Sequence, residues 1–315
     1  MPWHGSWFRR KHLPRVGPKL PNAPMDNALP IEVVARTVPP PQRADGRLRL
    51  GFGRDRAGVS RLRHCFQHAP CRVLFPHGAT GEPPQAVLLT TTGGLTGGDR
   101  LDIGLDVGPG AGATLSTQAA EKIYRAAPGE PATEIRVALT VGAGAWAEWL
   151  AQETILFEGA RLRRCLDADL APGGRLLAVE SAVFGRGAMG ERMRHGLLFD
   201  RWRIRRGGRL IWADAQRLAD ADLAGERPAF GLDDARAMAT LVYVGDGAAQ
   251  LLAPMRALLD EAPPEAAATC IGDVLIIRML AADPAAMRRC VVSTGAALRH
   301  AAAGLAPALP RVWHC

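Results

Sequence analysis

The feature that most constrains this chain is a rhythm of two, interrupted by glycine. From Leu101 to Val107 apolar residues (Leu101, Ile103, Leu105, Val107) alternate with Asp102, Gly104 and Asp106. Alternation of this kind puts every second side chain on one face of a half-buried strand. Comparable runs span residues 47–52, 59–66, 71–75, 85–90, 133–141, 146–150, 154–157, 161–170, 176–184, 196–204 and 209–215. Turn signals such as Gly93-Gly94, Pro109-Gly110, Pro172-Gly173-Gly174 and Gly207-Gly208 fall between them. They recur about every ten residues, the spacing of an all-β chain.

The pattern changes after about residue 216. Residues 248–261 look helical, and residues 273–280 (DVLIIRML) read as a buried strand. Asp283-Pro284 then opens a second helix, with Asp as N-cap and Pro at the first helical position. Its apolar face carries Met287, Val291, Thr294 and Leu298, and Gly304 closes it. The expected fold is mainly β: one body of many antiparallel strands and hairpins, with two helices in the C-terminal third. No internal repeat is visible.

Charge is unevenly placed. The chain of 315 residues has a formal net charge of +8. Residues 1–44 hold Arg9, Arg10, Lys11, Arg15, Lys19, Arg36 and Arg43 against Asp26 and Glu32, which is +5 of the total. With Pro39-Pro40-Pro41 and no periodicity, this stretch reads as a flexible basic leader ahead of a domain over 45–315. The body mixes both signs, which argues against a phosphate-tracking, nucleic-acid-binding surface. No apolar run is long enough to span a membrane, and no signal-peptide core is present. The six cysteines follow no repeating spacing, as expected of reduced thiols in a cytoplasmic protein.

The glycine loop Gly93-Gly94-Leu95-Thr96-Gly97-Gly98-Asp99 does not suit a nucleotide. A P-loop needs Lys and Ser/Thr after its last glycine, whereas Asp99 stands there. A dinucleotide site needs a helix after the glycines, and a strand pattern follows. No nucleophile with an adjacent base, no G-x-S-x-G and no H-E-x-x-H is found. The polar strings 118–125 and 148–158 suit a buried hydrogen-bond network better than a protein contact. The most metal-like cluster is His64-Cys65-x-x-His68-x-x-Cys71, whose ligand types suit zinc or nickel. On a strand, however, His64 and His68 would face away from Cys65 and Cys71. Three carboxylates stand out. Asp99 follows the glycine loop, while Glu180 and Asp214 interrupt apolar strands, where an unpaired charge is costly. They either pair with arginines such as Arg186 or Arg217, or line a wet passage for a hydrated divalent cation.

Several motifs in order resemble the UreD (UreH) family of urease accessory proteins. They are GGLTGGDRLDI from Gly93, TQAAEKIYR from Thr117, Glu148 to Phe157 with Gly159-Ala160-Arg161, Phe184-Gly185-Arg186 with Gly190-Glu191, and Leu309 to Trp313. The resemblance implies a non-catalytic scaffold that helps load nickel into apo-urease. It implies binding to apo-urease and UreF, and through UreF to the GTPase UreG, with no tightly bound cofactor. A tunnel would conduct transient nickel past Asp99, Glu180 and Asp214, and the two C-terminal helices would face UreF. One departure is that many members carry His-Pro-Pro before Gly-Gly, where this chain has Thr90-Thr91-Thr92. The alternative from a different class is a zinc-type enzyme built on His64, Cys65, His68 and Cys71.

Overall fold

Two sheets share the strands, and the chain weaves between them. A computed structural model describes residues 42–224, 232–262 and 264–314. All but the last three residues of the expected leader lie outside these. In chain order, β1 (Asp45–Arg54) and β2 (Ser60–His68) form an antiparallel pair, as do β3 (Cys71–Leu74) and β4 (Gln85–Thr90). There follow β5 (Arg100–Val107), β6 (Gly112–Thr117), β7 (Glu121–Ile123), β8 (Thr133–Val141), β9 (Trp146–Leu150), β10 (Thr154–Leu156), β11 (Arg161–Leu170) and β12 (Arg175–Phe184). The hairpin of β13 (Leu197–Arg206) and β14 (Arg209–Ala219) turns at Gly207-Gly208. The short helix α1 (Ala221–Ala224), β15 (Ala237–Val244), α2 (Ala248–Asp260), β16 (Glu265–Ile271), β17 (Val274–Ala281) and α3 (Pro284–Ala303) complete the order.

The first sheet runs β14-β13-β11-β8-β5-β1-β2, and the main path of the second runs β16-β17-β15-β12-β9-β6-β4-β3. The mainly β expectation holds. The antiparallel expectation holds at the sheet margins and is corrected in the middle. There β5, β8, β11 and β13 pair in parallel, and β4, β6, β9 and β12 do the same in the facing sheet. Each turn signal between these strands is a corner that carries the chain across to the other sheet. A corner and a hairpin use the same residues, so the sequence alone cannot separate them. The body is a coil of stacked rungs, a solenoid without a sequence repeat. Val107 pairs with Val141, and Val141 with Leu170, one rung above the next.

Glycine makes the corners stackable. A methyl group placed on Gly142 would sit 2.6 Å from Pro109 N and 2.8 Å from Gly108 C, in the rung below. On the opposite corner a narrow third face forms, where β7 pairs with β10 and β10 with the end of β12. It stacks Leu95, Ile123, Leu156 and Phe184, all buried, in one column. The column gathers the four glycine-rich and aromatic strings that the sequence spreads over about ninety positions.

Period-two alternation sorts the remaining side chains. Inward residues of both sheets, among them Leu50, Ile103, Val137, Leu166 and Trp202 facing Leu115, Trp149 and Ala178, fill the interior. Outward residues of the second sheet, including Leu177, Val179, Leu241 and Ile277, make a second core under α2 and α3. Asp283 caps α3 as expected, its carboxylate accepting from Ala285 N at 2.9 Å and Ala286 N at 3.1 Å. Gly304 ends the helix in the left-handed region. Among the described residues, no helix is long and apolar enough to cross a membrane.

Candidate functional site

Three charged residues occupy inward positions that alternation reserves for apolar side chains. On β11 the inward series is Leu162, Arg164, Leu166, Ala168 and Leu170. On β13 it is Leu198, Asp200, Trp202 and Ile204, and on β12 Leu176, Ala178, Glu180, Ala182 and Phe184. Arg164 and Asp200 are directly opposite in the parallel ladder. The Arg164 guanidinium grips Asp200 with two contacts, Nη2–Oδ2 at 2.6 Å and Nε–Oδ1 at 3.2 Å. Across the interior it reaches Glu180, Nη1–Oε2 at 2.5 Å, and it donates to Thr154 Oγ1 at 3.2 Å. Trp149 Nε1 donates to the other Glu180 oxygen at 2.7 Å.

Two carboxylates therefore share one guanidinium, all three almost fully buried. Burial and the adjacent Asp200 push the Glu180 carboxyl up to about 7, against the pull of Arg164 and Trp149. The cluster is one positive charge short when both acids are ionised. A proton on Glu180, or a cation, supplies the difference.

The ladders continue the cluster with further polar residues. In the first sheet Asp200 is in register with Gln216, and in the second Glu180 with Thr240, which pairs in turn with Arg278. These residues form a polar stripe across both sheets. The stripe ends at a surface cleft of about 330 Å³ where Gln216, Thr240, Glu265 and Arg278 stand among apolar residues such as Met238, Met279 and Leu280. At this end Arg278 bridges the sheets to Asp214, Nη2–Oδ2 at 2.5 Å. Glu180 and Asp214 thus lie on one stripe, and their arginines are Arg164 and Arg278, not Arg186 or Arg217. Arg186 pairs with Glu191. Asp99 sits elsewhere, at the foot of β5. Its two oxygens accept from Ala44 N and Thr96 N, both at 2.8 Å, and so fix the glycine loop.

The histidine and cysteine cluster is not gathered. On β2, His64 and His68 pair with Gly51 and Arg47, while Cys65 pairs with Leu50, on the opposite face. Cys71 lies on β3, fully buried, and burial pushes its thiol up to about 12. Among the described residues no three His, Cys, Asp or Glu side chains converge as a metal site.

The polar strings do form a network. Glu148, on the outer face of β9, binds Arg299 of α3, Nε–Oε1 at 2.6 Å, and accepts from Thr114. Arg299 also pairs with Glu82. Gln152 donates to Thr117 O and Gln118 O, and Arg288 binds Glu153, Gln152 and Trp313 O. Thr90, the first threonine of the departure, donates to Glu121 at 2.9 Å, a carboxyl that burial raises. Sequence reasoning missed Arg164, Asp200 and Arg299. The first two carried a signal, because each breaks the apolar phase of its strand just as Glu180 does.

Comparison with known proteins agrees with the motifs read in the sequence. The family described as UreD urease accessory protein matches residues 44–314. The urease accessory protein UreD of Cereibacter sphaeroides is 44% identical over 256 residues, covering 81% of this chain and 90% of that protein. That of Magnetococcus marinus is 42% identical over 280 residues, covering 87% and 95%. That of Rhizobium etli is 40% identical over 281 residues, covering 89% and 99%. The chain belongs to the UreD family of urease accessory proteins.

Proposed function

We propose that this urease accessory protein is a non-catalytic scaffold for nickel delivery into apo-urease, and that the interior polar stripe conducts the cation. In this reading it binds apo-urease and UreF, and through UreF the GTPase UreG, with α2 and α3 as the UreF-facing side. Nickel is cargo. The observation that carries the reading is the pair of buried carboxylates, Glu180 and Asp200, opposed by the single guanidinium of Arg164. Oxygen donors in a half-neutralised cluster suit a hydrated divalent ion that must also leave again. Asp214 stands at the mouth of the stripe and Glu180 in its depth. Entry of a cation exchanges with the Glu180 proton, so loading improves as pH rises. Asp99 has both oxygens on backbone amides, and its part is to hold the turn. The zinc-enzyme reading has no comparable support, because its four candidate ligands face different ways.

The test is urease assembled in cells that carry Glu180→Gln or Asp214→Asn. Co-purification with apo-urease and UreF should persist, while the nickel content of the isolated urease falls several-fold. Normal nickel content in both variants would remove these residues from the route. Loss of co-purification would reassign them to folding of the scaffold.

A further inference from the structure

Among the described residues, the first sheet ends in a strand with an uncovered edge. β2 pairs only with β1, and its outer edge makes no backbone hydrogen bond to another strand among the described residues. A bulge at Arg63 interrupts its pairing with β1, between Phe52–Leu62 and Gly51–His64, but the edge is otherwise bare, and bare edges template pairing with another chain. β2 is exposed along nearly its whole length, on both faces. It also carries large apolar groups: Leu62 and Phe66 are 39% and 46% exposed, and Leu74 and Phe75 beside them 56% and 43%.

Two further observations say what would cover it. Between Asp55 and Glu82 the sequence has no carboxylate, but it has Arg56, Arg61, Arg63 and Arg72 and three histidines. Arg63 and Arg72 donate to the backbone carbonyls of Arg54 and Cys71, so their charge is not met by an ion pair among the described residues. Next to the strand opens a cleft of about 810 Å³, walled by Phe52, Val59, Leu62, Phe75 and Trp146 and edged by Arg61 and Arg175. Trp146 is buried there, and its Nε1 has no hydrogen-bond partner.

We infer that β2 is a docking strand for an extended, acidic segment of a partner protein. The segment adds to the free edge by main-chain hydrogen bonds, sets its carboxylates against the arginines and drops alternate apolar side chains into the cleft. A second copy of this chain is a poor occupant, because it would bring Arg61 and Arg63 against their own kind. The segment 1–41 is equally poor, being basic itself. The inference does not depend on the nickel route, which runs through the opposite end of the sheets.

A fluorescein-labelled peptide that alternates glutamate with valine, titrated into the full chain and followed by anisotropy, tests this. Saturable binding should weaken at least tenfold in Arg63→Glu/Arg72→Glu, a variant of two exposed arginines without an ion pair among the described residues, whose melting should be unchanged. It should also weaken at least tenfold when the peptide is N-methylated on one of its two alternating sets of amides. A peptide alternating lysine with valine should not bind. Absence of saturable binding, equal binding to the double variant, or indifference to N-methylation of both sets would each overturn the inference. So would a dimer of the protein that the double variant abolishes, which would put a second copy on the strand.

Discussion

The molecule contains two buried triads of the same composition, and they are built for different ends. Each sets two carboxylates around one arginine: Arg164 with Glu180 and Asp200 inside the coil, and Arg299 with Glu148 and Glu82 beneath α3. In the outer triad the charge is dispersed over many neutral donors and acceptors. Thr114 supports Glu148, Ala306 N supports Glu82, and Arg299 also holds Ala308 O. The triad and its partners come from a loop, β6, β9, α3 and the tail that follows it, so five segments are tied together. The inner triad has few neutral supporters beyond Trp149 and Thr154, and it is continuous with a polar stripe that reaches the surface. One arrangement fastens a helix. The other holds an unbalanced charge in the interior.

Arg164→Met should have the largest effect. It leaves two carboxylates facing each other in the interior, and breaking a buried ion cluster in this way costs about 3–5 kcal/mol. Urea denaturation would show it as a lower midpoint with an unchanged slope. Adding Glu180→Gln and Asp200→Asn to the variant should restore most of the loss. Arg299→Met should come next, at about 3 kcal/mol, but with a different pattern. Hydrogen exchange should quicken in α3 and the following tail while β5, β8 and β11 keep their protection. If both variants loosened the same elements, the distinction between a central cluster and a helix fastener would fail.

The two triads also mark how far the sequence could be read. Glu180 is visible because it breaks an apolar run, and Arg164 and Asp200 break their alternation in the same way. The partners of Arg299 are invisible, because 151 positions separate it from Glu148 and 217 from Glu82. Most strands are legible to within a few residues, since alternation reports a half-buried surface whichever neighbour covers it. The exceptions are β7, β15 and β16: β7 is three residues long, β15 is buried on both faces and β16 is built around three consecutive alanines. The pairing of the strands is not legible. Pro109-Gly110 and Gly207-Gly208 look alike in sequence, yet the first turns a corner between sheets and the second closes a hairpin. The rungs repeat in space without repeating in sequence, because each needs only apolar residues in phase and a small residue at the corner. Gly142 shows the second requirement, and the backbone it approaches belongs to another rung.

The unbalanced charge of the inner triad makes a pH prediction of intermediate size. The Glu180 carboxyl is raised in the folded protein, so the native state holds its proton more tightly than the unfolded chain does. Its contribution is then complete below the ordinary glutamate range, near 4.3, and is lost as pH rises towards the folded value. Glu180→Gln removes this dependence. Wild type and variant should be about equally stable at pH 4.5, and the variant more stable by roughly 2 kcal/mol at pH 8. Parallel stability curves would show that Arg164 balances Glu180 fully and that no cation is needed there.

The smallest effect separates the outer triad from the helix it fastens. Asp283 caps α3 with both carboxylate oxygens, and its contact with Arg289 at 3.7 Å is exposed and worth little. Asp283→Ala should therefore cost about 1 kcal/mol, the loss of one cap. Exchange should quicken in the first turn of α3, near Ala285 and Ala286, and remain slow around Arg299, where the triad holds the last turns. A loss confined to that first turn means that Arg299, Glu148 and Glu82 hold the helix independently of its own start. Exchange that quickens along the whole helix means instead that α3 docks as a single cooperative unit, and that the cap and the triad stabilise the same event.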